Sequence, residues 1–180
     1  VGAQMKASGI VNTRKLLREL GTAAETAVLE QLAPDDAKIY RETMPINWVP
    51  VESVTRILVA AAPVVCAEHP QPIHELGRRL ANIELTGLYK VLIRMTTVDF
   101  MISQAAKIWG TYHQQGEALA LKSSEHEAVF TVKNYPELPE RYREMLCGYL
   151  QGMVELTGAK LIRVKRDDQP AEWRWIVSYT

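Results

Sequence analysis

Tyr142-Arg-Glu-Met-Leu-Cys147-Gly148-Tyr-Leu-Gln-Gly152-Met-Val-Glu155-Leu-Thr-Gly158 runs into two short alternating segments, Lys160 to Arg166 and Trp173 to Tyr179. Tyr142, Met145, Leu146, Tyr149, Leu150, Met153 and Val154 recur at helical spacing, which predicts a helix over Pro139 to Thr157 with one apolar face. Beyond it, Trp173, Trp175, Val177 and Tyr179 alternate with Glu172, Arg174 and Ser178, the period of a half-buried strand. The turn Asp167-Asp-Gln-Pro170 closes these two segments into a hairpin. Gly148 and Gly152 leave a flat strip on the helix. The strip is expected to pack tightly on the helix's own sheet, or to serve as a dimer contact.

Working back from this unit, the period is also alternating between Gly116 and Lys133. Glu117 to Lys122 and Ala128 to Lys133 flank a polar turn at Ser123 and Ser124, a second hairpin. Everything earlier reads as helix. Leu16, Leu17 and Leu20 form an apolar edge that stops at Gly21, and Thr22-Ala-Ala-Glu25 has capping-box spacing for the next helix. Pro34 with Asp35 and Asp36 opens a third helix, and Pro50 a fourth with Val54, Ile57, Leu58, Ala61 and Val65 inward. A long helix follows on Leu76, Leu80, Ile83, Leu88, Val91, Leu92 and Met95, with Gly87 as a kink or close-approach point. Thr97 to Tyr112 is amphipathic, with Met101, Ala105, Ile108, Trp109 and Tyr112 on one face. The expected fold is α+β: helices packed on one face of a four-stranded twisted antiparallel sheet, made of two β-hairpins joined by a helix. Residues 6–180 are expected to form a single domain, and residues 1–5, where Val1-Gly-Ala-Gln precedes Met5, an expression remnant or flexible N-terminus.

Composition narrows the function. A chain of 180 residues with 47% hydrophobic content can bury one sizeable core. Lys plus Arg equals Asp plus Glu at 21 each, so the field that draws proteins to nucleic acid is missing and no nucleic-acid partner is expected. The longest apolar run, Leu58 to Ala67, is too short to span a bilayer and is interrupted by Pro63. With no export signal in view, a cytoplasmic location is expected. Cys66 and Cys147 both fall on apolar helical segments, as reduced core thiols do.

The chemistry-bearing side chains point away from catalysis. None of His69, His74, His113 and His126 has a second His four residues away or a Cys close by, so no metal site is expected. His74 is expected to face solvent. His113 follows Trp109 and Tyr112 and either orients a ligand in an apolar pocket or simply ends its helix, where the dipole favours a cation. There is no nucleophile elbow, no Cys beside a His and no phosphate loop, so the chain is not expected to be an enzyme. Glu155 is expected at a rim, in a salt bridge. Arg78 and Arg79 are expected on a solvated face rather than at an anion site.

These parts together resemble the superfamily that joins the 4-vinyl reductase-type domain, the TRAPP transport-particle subunits and, more remotely, the haem nitric-oxide-binding domain, a fold of NO signalling and Golgi transport. The nearest likeness is to a group of uncharacterised myxobacterial paralogues. It is carried by Trp48-Val-Pro50, Leu76-Gly77-Arg78, the Tyr89-Lys90 pair, Trp109-x-x-Tyr112-x-x-x-Gly116 and Cys147-Gly-x-x-x-Gly152-x-x-Glu155-x-x-Gly158. The resemblance implies helices on one face of a twisted sheet, frequent homodimers, and a pocket between them that in some relatives holds an aromatic effector, an acyl chain or a tetrapyrrole. Relatives that sense phenols carry zinc-binding cysteines in the final hairpin, whereas Leu161 to Thr180 holds neither Cys nor His. The haem branch uses a Tyr-x-Ser-x-Arg anchor and a proximal His, and that tripeptide pattern is missing. No cofactor is therefore expected.

The functional expectation is a non-catalytic small-molecule sensing domain in bacterial signalling. Trp109, Tyr112, His113 and Tyr149 are the expected lining of a closed cavity of several hundred cubic ångströms for a hydrophobic or aromatic ligand. The alternative is a homodimeric docking module with a solid core, anchored to a protein partner by Trp48, Trp173 and Trp175.

Overall fold

The computed structural model describes residues 2–89 and 97–180, with backbone alone for 87–89. The Tyr89-Lys90 pair and the expected roles of Gly87, Leu88, Val91, Leu92 and Met95 lie outside the side chains so described. Within these bounds the elements run β1 (Gln4–Lys6), α1 (Ser8–Leu20), α2 (Thr22–Leu29), α3 (Pro34–Glu42), β2 (Trp48–Pro50), α4 (Val51–Val65), α5 (Pro72–Tyr89) and α6 (Val98–Tyr112). The second half follows as β3 (Glu117–Ser124), β4 (Glu127–Lys133), α7 (Glu140–Glu155), β5 (Arg163–Arg166) and β6 (Glu172–Ser178).

Both hairpins enter one antiparallel sheet of order β3-β4-β6-β5, so the α+β architecture read from the sequence is the one observed. Register does the work of sorting faces. Phe130 lies opposite Trp175 and Ala128 opposite Val177, all buried, while the intervening Leu119 and Leu121 of β3 face outward and are exposed. A second, two-stranded sheet pairs β1 with β2, and Gln4 and Met5, set aside in the sequence reading, are built into it with Met5 buried.

Local details sharpen two helix boundaries. Gly21, at φ 107°, both ends α1 and caps α2, a backbone angle that favours glycine. The expected Thr22–Glu25 capping box does not form. Thr22 already lies inside α2, and Glu25 instead accepts a hydrogen bond from the Tyr40 phenol at 3.2 Å and pairs with Arg18 at 3.3 Å.

The glycine strip meets a helix rather than the sheet. A Cβ on Gly148 would lie 1.7 Å from the His74 carbonyl oxygen, and one on Gly152 would lie 2.6 Å from that of Arg78. Gly77 answers from α5, its own Cβ position being 2.2 Å from the Met145 carbonyl oxygen. Three glycines thus let α5 and α7 touch backbone to backbone. Arg78 ties the same seam at its edge, reaching Glu75 at 2.8 Å and Glu155 at 3.0 Å, while Arg79 reaches Glu75 at 2.9 Å. The two arginines are therefore engaged within the protein, and Glu155 has the rim salt bridge expected of it. His74 is half-buried against this seam, not solvent-facing, and burial lowers its pKa.

Candidate functional site

The N-terminal helices and the α7–sheet unit leave a cavity of about 60 Å³ between them. Its floor comes from α7 through Tyr142, Met145, Tyr149 and Met153, its wall from α6 through Ala105, Ile108, Trp109 and Tyr112, and its roof from Met5, Gly9, Leu58 and Leu80. Trp109, Tyr112, His113 and Tyr149, the four residues singled out from sequence, all line it. A wholly apolar cavity of about 30 Å³ continues toward the sheet, sharing Ala105, Phe130, Leu150 and Met153 with the first. The main cavity is well below the several hundred cubic ångströms expected, because six aromatic rings and seven methionine or leucine side chains at its lining fill the space.

His113 is held from three sides. It bridges to Met5 of β1, its ring stacks on Trp109 at 3.8 Å and 5° from parallel, and its Nε2 meets the Tyr142 hydroxyl at 3.2 Å. Trp109 is itself fixed, its indole N–H donating to the Gln115 carbonyl at 3.0 Å. The backbone N–H of Gln114 donates to Gln4, so β1 straps the end of α6. His113 Nδ1 is buried without a partner, and burial pushes the imidazole pKa down to about 3. The ring is therefore neutral at ordinary pH. A dipole-favoured cationic helix end, the simpler reading of this residue, does not describe it.

The residue that sequence reasoning missed is Glu84. It lines the cavity from α5, accepting a hydrogen bond from the Tyr149 phenol at 3.0 Å and a longer one from the Asn12 amide at 3.4 Å. Desolvation raises its pKa above the ordinary carboxyl value, against the hydrogen bonds it accepts. A signal was present: Leu76, Leu80 and Glu84 step by four along one helical stripe, and the first two are buried. The stripe predicted through Ile83 is out of phase, for Ile83 is 36% exposed.

The proposed docking anchors do not form one surface. Trp175 is fully buried and donates to the Arg143 carbonyl at 3.1 Å. Trp173 is half-buried beneath the Arg143 guanidinium, 3.7 Å from its ring centre, and only Trp48 is substantially exposed. Cys66 and Cys147 are free and buried, and burial raises both thiol pKa values, that of Cys147 to about 11.

No protein-family model matches the chain, and no curated protein does. Solved structures do. An H-NOX point variant from T. tengcongensis superposes with a TM-score of 0.65 at 14% identity, covering 98% of each chain. An Fe(II) H-NOX protein from S. oneidensis gives 0.68 at 14% identity, covering 96% of this chain and 95% of that one. An unliganded Fe(II) H-NOX variant from K. algicida gives 0.68 at 10% identity, covering 98% and 97%. The chain therefore has an H-NOX-like fold. This overturns the assignment to the 4-vinyl reductase-type and TRAPP group, since matches over nearly the whole chain fall on the arm of the resemblance taken as most remote.

The residues at this cavity do not fit haem. A cofactor-sized pocket needs roughly 300 Å³ or more, and this one offers about 60 Å³. The one histidine at its lining has its Nε2 taken by Tyr142 and its ring clamped on Trp109. Among the described residues no Lys or Arg lines the cavity to meet acidic side groups, and the charged group that does, Glu84, has the wrong sign.

Proposed function

We propose that this chain is a non-catalytic sensing domain of bacterial signalling that uses an H-NOX-like fold without haem and takes a guest of only a few non-hydrogen atoms. The observation that carries the reading is the cavity, about 60 Å³ and lined by Trp109, Tyr112, His113 and Tyr149. One water needs about 10–15 Å³ on this measure, so roughly four to six water-sized atoms fit. An aromatic ring does not, since a benzene-binding cavity measures about 150 Å³. The hydrophobic or aromatic ligand expected from sequence is thereby reduced to a much smaller molecule. Catalysis has no support in the site, because His113 is engaged by Tyr142 and Glu84 by Tyr149. Among the described residues, no helix is long and apolar enough to cross a membrane.

Xenon pressure with heteronuclear NMR tests this directly, since the atom needs only apolar space. Resonances of Ala105, Met145 and Met153 are expected to shift saturably, and Ala105→Leu, which fills the cavity, is expected to abolish the effect. Absence of any saturable shift, or a stoichiometric haem absorption band in protein purified from haem-supplemented cells, sinks the reading.

A further inference from the structure

The reading above leaves the guest's chemistry open, and the lining closes it. Five Trp, Tyr and Phe side chains border the cavity, Trp109, Tyr112, Phe130, Tyr142 and Tyr149, and their ring faces carry negative electrostatic potential. The charged group bordering it is the carboxyl of Glu84, and no Lys or Arg does so among the described residues. A carboxylate has about four lone-pair positions. The Tyr149 phenol and the Asn12 amide supply two donors, so acceptor capacity remains for a guest. An anion entering here meets repulsion from the rings and from the carboxylate. A neutral apolar guest supplies neither counter-charge nor donor to the carboxylate. A small cation with an N–H satisfies both the rings and the acid.

Resting on the cavity reading, we infer that the site selects a small alkylammonium ion, with the Glu84 carboxylate as counter-charge and hydrogen-bond acceptor and the aromatic side chains as its cage. The size limit restricts it to about four non-hydrogen atoms.

Three probes of equal heavy-atom count and different charge decide the matter: trimethylammonium, acetone and acetate, titrated into the intact chain by calorimetry or NMR. Trimethylammonium is expected to bind at least about tenfold more tightly than acetone, and acetate not to bind measurably. Glu84→Gln, close in shape, is expected to remove the preference for the cation over acetone. Equal binding of trimethylammonium and acetone overturns the inference, and the probe comparison on the unaltered chain stands whether or not the variant folds. If xenon still enters in that case, the cavity reading survives and only its charge selectivity falls. If neither xenon nor any of the three probes enters, both fall together.

Discussion

The carbonyl oxygen of His74 on α5 occupies the space that a side chain on Gly148 of α7 would need, 1.7 Å from the position of a Cβ there. Backbone cannot yield as a flexible side chain does, so Gly148→Ala is expected to destabilise the fold by about 3 kcal/mol or more. Gly110, in the exposed part of α6, has nothing within 4 Å of its Cβ position, and Gly110→Ala is expected to stabilise by up to about 1 kcal/mol. Urea denaturation of the two variants compares them, and equal stabilities refute the backbone contact.

Acid sensitivity should trace to His113. Its folded pKa, about 3, lies below the ordinary 6.5, so as pH falls below 6.5 the unfolded chain takes up a proton that the folded state refuses. Stability from this group is lost over that window, by up to about 1.4 kcal/mol per pH unit. His113→Gln lacks this slope, so its stability difference from the unaltered protein is expected to shrink between pH 6.5 and 4. Parallel curves would show that the imidazole is not buried neutral.

Glu75 acts in the same direction at lower pH. Hydrogen bonds from Arg78 and Arg79 hold its carboxyl down at about 2, so its contribution is present above pH 4.5 and lost as pH falls toward 2. Both arginines are more than a third exposed, which discounts the gain. Glu75→Gln is expected to cost about 2 kcal/mol at neutral pH and nothing near pH 2. A cost that persists undiminished into acid would assign it to packing instead.

Tyr142→Phe removes the hydroxyl that meets His113 Nε2 and leaves that nitrogen as unpartnered as Nδ1 already is. The expected cost is about 1–3 kcal/mol. Trp109 stacks on the same ring, so its fluorescence is expected to change as well. A stable variant with an unaltered emission spectrum would show that the hydroxyl does not hold the imidazole.

Sheet and helices were legible in the sequence because alternation and helical spacing are one-dimensional signals: Phe130, Trp175 and Val177 fell on the buried face as their period demands. Partner identity was not. A glycine spacing says that something approaches closely without saying what, so α7 was assigned to the sheet when α5 holds the matching Gly77. Glu84 escaped because carboxylates are usually read as surface, and that habit shifted the apparent stripe of α5 onto Ile83. The cavity's size was beyond reach for a different reason, since it is the residue of side-chain packing among elements distant in sequence.

The interlocked glycines carry a mechanical consequence. With carbonyls of His74 and Arg78 seated against α7, that helix and α5 cannot slide past one another without a backbone collision. On the opposite side of the cavity, the end of α6 is tied to β1 by hydrogen bonds of Gln4 with Gln114 and Gln115.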